Sequence, residues 1–371
     1  MTINKKLSIL VLLLCLCCSA STAFPQNENL TDDSWWLDSA GNPIYAQSGG
    51  ISKFGSTYYW YGVQYAGASS YYSTGTANSD TLFVAINCYT STDLVHWTFA
   101  NASVTTSTPG FSFPGASDPT SASDFGWVSR MGSVLYNSSS KLYVMWVQYD
   151  GDDGAGMACL TCSSPTGNFV INNVQTSIGN VYHNIEGDST IFCDVDHGST
   201  PYLIFSDSHG REHAYISPLS SSYETIESAT LISEWPQGQE ANNMFCRNGI
   251  YYYIMSNTAG WSYSSAYAVW SSSILTPSDY TADAAFAGTT ADYTHHSQVS
   301  FGIEIEGTSQ TSYVMAGDRW ADFDDTYKNA GFGSGYYEWS PITFSGNTPT
   351  YNSLSKGGTL GINAATGALT W

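Results

Sequence analysis

Apolar and polar positions alternate with a period of two along much of this chain. Runs of Tyr, Val, Ile, Trp and Phe recur between turns rich in Gly, Asn and Ser, and hardly any segment sustains a helical period. The pattern predicts a nearly all-β protein. One unit returns: a short apolar strand, a polar turn, then an aromatic strand that ends in small or polar residues. Its five copies are GGISKFGSTYYWYGVQ, GSVLYNSSSKLYVMWVQYD, STIFCDVDHGSTPYLIFSDS, NNMFCRNGIYYYIMSNTAG and IEIEGTSQTSYVMAGDRW. Radially arranged four-stranded blades produce such echoes, because each blade buries its faces only against its neighbours. Five echoes predict a five-bladed β-propeller. A β-sandwich also contains hairpins, but nothing in it requires one pattern to return five times.

The ends of the chain bound this domain. Residues 1–23 combine Lys5 and Lys6, the apolar run LSILVLLLCLCC, and small residues at Ser21 and Ala23 suited to cleavage before Phe24. They read as a secretory signal peptide. Residues 24–371 then form a single propeller domain, expected to be exported, monomeric and free of the membrane after cleavage. Sequons at Asn29, Asn101 and Asn137 fit a secreted glycoprotein.

Composition narrows the partner. A net charge of −21 with only ten Lys and Arg disfavours nucleic acid and anionic membranes. Aromatics make up 15% of the residues and charged residues 11%, a balance that favours recognition by stacking and neutral hydrogen bonds, as with sugars. Five cysteines remain after residue 23, namely Cys88, Cys159, Cys162, Cys193 and Cys246, so at least one is unpaired within the chain. The Cys159/Cys162 spacing lacks the second pair a zinc site needs, and structural roles are expected. The Asp150–Gly156 run lacks the spacing of a calcium loop, and adjacent His295 and His296 on a strand would face opposite ways. No metal or cofactor is expected.

In a propeller, acids just ahead of inner strands face one shared pocket over the axis. Glu240 precedes the fourth echo and Asp188 the third. Each could be a turn residue or strand cap; their equivalent positions in successive repeats point instead to paired carboxyl chemistry. Inverting glycosidases use two carboxyls about 6.5–9.5 Å apart, one protonating the leaving oxygen and one acting on the water.

Several stretches, taken in order, resemble glycoside hydrolase family 43, and within it the exo-acting β-1,3-galactanases. They are DSAGNPIYAQSGGISKFGSTYYWYG, SSPTGNF, GDSTIFCDVDHGSTPYLIFS, ISPLSSSYETIE, QEANNMFCRNGIYYYIMSNTAGW and AGDRW. The resemblance implies that Glu240 is the general acid, in Gln-Glu-Ala-Asn where the family often has Arg-Glu-Ala-Pro. It implies that Asp188 orients that acid and tunes its proton affinity. Most of the family take a base aspartate from the first blade, but Tyr45-Ala-Gln-Ser-Gly-Gly50 contains no acid. The galactanase-like group is similar in this, with a glutamine proposed to position the water, as the amide or as its imidic tautomer. Gln298 in HHSQVSF is its counterpart, either in that role or as a ligand of a sugar hydroxyl.

Two departures bear on specificity. The family's Glu-Arg-Pro-Lys appears as Ser129-Arg130-Met131-Gly132, keeping Arg130 as a substrate contact but not the glutamate, and Gln47 stands where a histidine is usual. Trp261 resembles a sugar-packing aromatic. Asp318 and Arg319, with Trp320, resemble the family's Gly-Asp-Arg-Trp, as an ion pair bracing the site or as sugar contacts. The expected protein is a secreted inverting exo-β-1,3-galactanase acting on galactan or arabinogalactan side chains. An arabinofuranosidase or xylosidase of the same family, or a non-catalytic carbohydrate-binding propeller, are the alternatives.

Overall fold

A computed structural model describes residues 28–78, 80–109, 128–149, 156–182, 185–193, 200–207, 210–320 and 335–371. Its strands fall into antiparallel meanders. After β1 (Glu28–Thr31), the first blade consists of β2 (Gln47–Phe54), β3 (Thr57–Tyr65), β4 (Phe83–Ser91) and β5 (Thr98–Thr105), with helix α1 (Ala66–Thr74) between β3 and β4. The second holds β6 (Val128–Met131) and β7 (Leu135–Asn137), both paired to β8 (Leu142–Tyr149), then β9 (Gly156–Cys162) and β10 (Val170–Gln175). The third holds β11 (Ile185–Cys193), β12 (Pro201–Asp207), β13 (His213–Pro218) and β14 (Thr230–Glu234). The fourth holds β15 (Gln239–Arg247), β16 (Ile250–Asn257), β17 (Ala266–Ser271) and β18 (Ala284–Ala285). The fifth holds β19 (Gln298–Glu306), β20 (Thr311–Arg319), β21 (Tyr336–Ser345) and β22 (Thr348–Tyr351). Finally, β23 (Thr359–Asn363) and β24 (Ala368–Thr370) join β1 in a three-stranded sheet.

The fold is an all-β propeller, but the described residues form six sheets where the repeats predict five blades. Each echo supplies the leading hairpin of one meander. The leading strands touch in sequence, β2 to β6, β6 to β11, β11 to β15 and β15 to β19, and β19 returns to β2. The sixth sheet has no echo because it is assembled from both ends of the described chain, with Glu28 opposite Ile362. It packs on β20 and β21, where the ring closes.

That seam holds the densest aromatic packing. Trp60 lies 5.3 Å from Trp97 and 5.4 Å from Trp339, and Trp36 lies 5.2 Å from Trp339, between ring centroids. Leu30, Leu360 and Ile362 of the sixth sheet are buried in the same cluster. Short terminal strands thus gain stability from tryptophan faces on two blades, because burial of large rings dominates such cores.

Every leading strand carries a register break near its start: between Gln47 and Gly50, Val128 and Arg130, Ile185 and Ser189, Glu240 and Asn243, and Val299 and Phe301. A bulge bends a strand and re-aims its side chains. At two of them a residue with a side chain takes positive φ, Ser48 at +52° and Ala241 at +56°. Ahead of β19, helix α2 (Tyr293–His296) has positive φ at all four residues, so it is a left-handed turn. Such backbone is disfavoured for L-residues. Buried Thr294 pins it through Oγ1 to the Ser297 carbonyl at 2.6 Å, and Ser297 Oγ returns a bond to the Thr294 carbonyl at 2.6 Å.

Two expectations change here. Asn137 is buried, with Nδ2 donating to the Ser221 carbonyl and Oδ1 accepting from Ser139 and Ser140, so this sequon is closed to modification in the fold; Asn29 is exposed. His295 and His296 lie in the left-handed turn, not on a strand. Cys88, Cys159 and Cys162 form no disulfide, and burial pushes the Cys88 thiol up to about 12. The Asp150–Gly156 run lies, except for Gly156, outside the described residues.

Candidate active site

Glu240 opens β15 and is buried, although carboxylates rarely are without partners. Its Oε1 accepts from the Ala259 N–H at 2.9 Å and from Gln298 Nε2 at 2.8 Å. Its Oε2 lies 3.1 Å from an Arg211 guanidinium nitrogen. The bulge places the Ala241 N–H 2.9 Å from Asp188 Oδ2, so Asp188 on β11 is held against the residue that follows Glu240. Asn242 completes the junction, its Nδ2 donating to the Asp188 carbonyl and to Ser206 Oγ while its Oδ1 accepts from Tyr253 OH at 3.0 Å.

Gln298 opens β19 and is also buried. Besides Glu240 it donates to Ser256 Oγ at 3.2 Å, and its Oε1 accepts from Trp320 Nε1 at 2.9 Å. An indole N–H is only a donor, so it fixes the amide oxygen on its side and the amide nitrogen toward the carboxylate. The paired-group spacing suggests a partner standing off from the acid; Gln298 is instead in direct contact with it. The cause is the adjacency of β15 and β19, whose breaks bring the two strand starts together. Trp320 also packs 4.6 Å from Trp261 at 83°, and Trp261 packs 5.2 Å from Tyr65, giving an aromatic wall beside the amide in which Trp320 and Tyr65 are buried and Trp261 is half-buried.

The other expected contacts serve the ring closure. Gln47 is buried and Nε2 donates to the Tyr336 carbonyl at 3.2 Å and the Arg319 carbonyl at 3.4 Å. Asp318 Oδ2 accepts from the Ser48 N–H at 3.0 Å, tying β20 to the bulge of β2. Arg319, 2% exposed, pairs with Asp33 just beyond β1. These engagements tie Asp318 and Arg319 to segments across the seam. The backbone of Arg130 lies on β6; its side chain, like that of Ser129, lies outside what is described. Among the described residues no group of three or more His, Cys, Asp or Glu could hold a metal ion.

A cleft of about 360 Å³ beside the seam is lined by Asp33, Asp292, His295 and Arg319, among others, and by none of Glu240, Asp188 and Gln298. Burial works against charge on His295, yet hydrogen bonds to Asp292 and Asp33 raise its pKa to about 9. Burial likewise opposes charge on Asp33, and the bonds from His295 and Gly357 with the Arg319 charge bring it down to about 2. Stabilisation from a raised His is full below its unfolded value of about 6.5 and is lost as pH climbs through the folded value. Wild-type Tm should therefore fall between pH 6.5 and 9 by more than that of His295→Gln, a difference of ~1–2 kcal/mol after screening by the open cleft. Parallel Tm profiles across that range would refute the pairing.

Arg211, Ala259 and Ser256 are absent from the sequence-based site. Arg211 had one available signal: with only ten basic residues in the chain, an arginine just past the third leading hairpin is conspicuous.

Residues 51–302 match the family model for glycosyl hydrolases family 43, a span that contains Asp188, Glu240 and Gln298. The chain belongs to this family. Among solved family 43 structures, an exo-β-1,3-galactanase from Clostridium thermocellum superposes with a TM-score of 0.75 at 24% identity, covering 92% of this chain and 68% of that one. An exo-β-1,3-galactanase from Phanerochaete chrysosporium, solved with β-1,3-galactotriose, gives 0.73 at 26% identity, covering 92% and 70%. A family 43 protein from Bacillus licheniformis is more distant, at 0.56 and 16% identity, covering 88% and 57%. No protein of curated function matches the chain in sequence.

Proposed function

We propose that this family 43 protein is a secreted, inverting exo-β-1,3-galactanase that removes terminal galactose from galactan or arabinogalactan side chains. The observation that carries the reading is the chain Trp320–Gln298–Glu240, closed on the other side by Asp188 through the Ala241 N–H. Likeness to the two galactanases, one of them holding β-1,3-galactotriose, supports the sugar class. Export rests on residues 1–23.

In this scheme Glu240 donates its proton to the glycosidic oxygen as the C1–O bond breaks. Water adds to C1 from the opposite face, giving the inverted product, and its proton passes to solvent. In this reading Gln298 acts as an ordinary amide, its oxygen held by the Trp320 indole N–H. It positions the water and takes no proton.

Replacing Gln298 by Glu would set two carboxyls about 3 Å apart, where they cannot both ionise. Turnover within about tenfold of wild type is expected, with the alkaline limb of kcat/KM displaced upward by about one pH unit. A loss beyond 10³-fold at every pH would contradict the positioning role. The function itself is tested by galactose release from de-arabinosylated arabinogalactan. Tight binding with no sugar released would favour the carbohydrate-binding propeller, which the absence of an acid at Gln47 also allows.

A further inference from the structure

A general acid must carry a proton, yet Glu240 faces donors. Oε1 accepts from the Ala259 N–H and Gln298 Nε2, and Oε2 from Arg211. These three donors stabilise its carboxylate form. The Ala259 bond comes from backbone and Gln298 is buried, so Arg211 is the partner able to leave.

Its setting suits that. The side chain is 34% exposed, against 4% for Glu240. Its Nε is buried without a hydrogen-bond partner, a donor that a sugar hydroxyl could satisfy. The backbone beneath is fixed: Gly210 and Arg211 both have positive φ, at +64° and +57°, and the Arg211 carbonyl accepts from the Gln239 N–H at 2.9 Å. The turn is thus bonded to the segment that carries Glu240, and only the guanidinium is free to swing. Other titratable groups at this junction are Asp188 on β11, Tyr253 on β16, and the Asp207–His213 pair at 2.9 Å.

We propose that Arg211 is a positioning residue that holds Glu240 as a carboxylate in the empty site and withdraws from it when sugar enters, so that proton uptake by the acid is linked to substrate binding. The proposal rests on Glu240 being the general acid, and the two can fail separately. The first arm compares β-1,3-galactobiose with 2,4-dinitrophenyl β-galactoside, whose leaving group departs without protonation. Glu240→Gln should slow the disaccharide at least 100-fold more than the aryl glycoside; equal losses overturn the acid assignment.

The second arm takes Arg211→Met and Arg211→Lys through full pH profiles on the disaccharide. The kcat/KM limb reports the free enzyme and the kcat limb the complex. In Arg211→Met the alkaline limb of kcat/KM should rise by about one pH unit while that of kcat stays in place, and Arg211→Lys should restore the wild-type limb. An unmoved kcat/KM limb makes Arg211 merely structural, and limbs that rise together keep it on the acid throughout; either result overturns the proposal.

Discussion

Glu240→Gln is expected to lower galactose release from β-1,3-galactan by about 10³-fold, within the range that a positioned general acid contributes. The amide cannot deliver a proton, and its NH2 would also meet the donors Gln298, Ala259 and Arg211 that now converge on the carboxylate. At least one donor would lose its acceptor in a buried site, at about 1–3 kcal/mol. Melting curves measured beside the rates separate the two effects. A rate within tenfold of wild type, in protein that is fully folded, would remove Glu240 from the chemistry.

Trp339→Ala should cause the largest loss of stability, about 3–5 kcal/mol, with a fall in Tm of roughly 10 °C. Trp339 is fully buried and meets Trp36, Trp60 and Trp97, so truncation opens a cavity where the first blade, the fifth blade and the terminal sheet converge. The ring there is held by packing and by contacts that include Asp318–Ser48, Arg319–Asp33, Gln47–Tyr336 and Tyr337–Ile44, with no strand pairing across the seam among the described residues. Denaturant melts of Trp339→Ala and of Trp261→Ala, whose ring is half-buried at the site, provide the comparison. Equal and small losses in both would show that the tryptophan cluster does not hold the closure.

Legibility differed by level. The five leading hairpins could be read because each is local: two strands joined by a short turn leave an alternating pattern in some twenty residues. The sixth sheet could not, because β1 pairs with β23 more than 300 positions away and ENLT, TLGIN and ALT are too short to carry a period. At the site, position ahead of a leading hairpin was enough to single out Glu240 and Asp188, whereas Gln298 emerged only from the family resemblance. Their mutual arrangement was not legible, since it depends on the bulges in β11, β15 and β19, and nothing in GDSTIF, QEANNM or SQVSFG marks an Ala at positive φ. Direct contact between Gln298 and Glu240 follows from those breaks. Asn137 shows the converse limit, a sequon intact in sequence whose side chain the fold uses to bond Ser221.

On the proposed mechanism, the arrangement of Glu240, Gln298 and Trp320 has one direct chemical consequence. An acid on one side of the glycosidic bond and a held water on the other give inversion, with no covalent sugar on the protein. Proton NMR of galactose released from a β-1,3-linked oligosaccharide, recorded before mutarotation, is the direct measurement. The α-anomer appearing first is the predicted result; the β-anomer appearing first would contradict the mechanism.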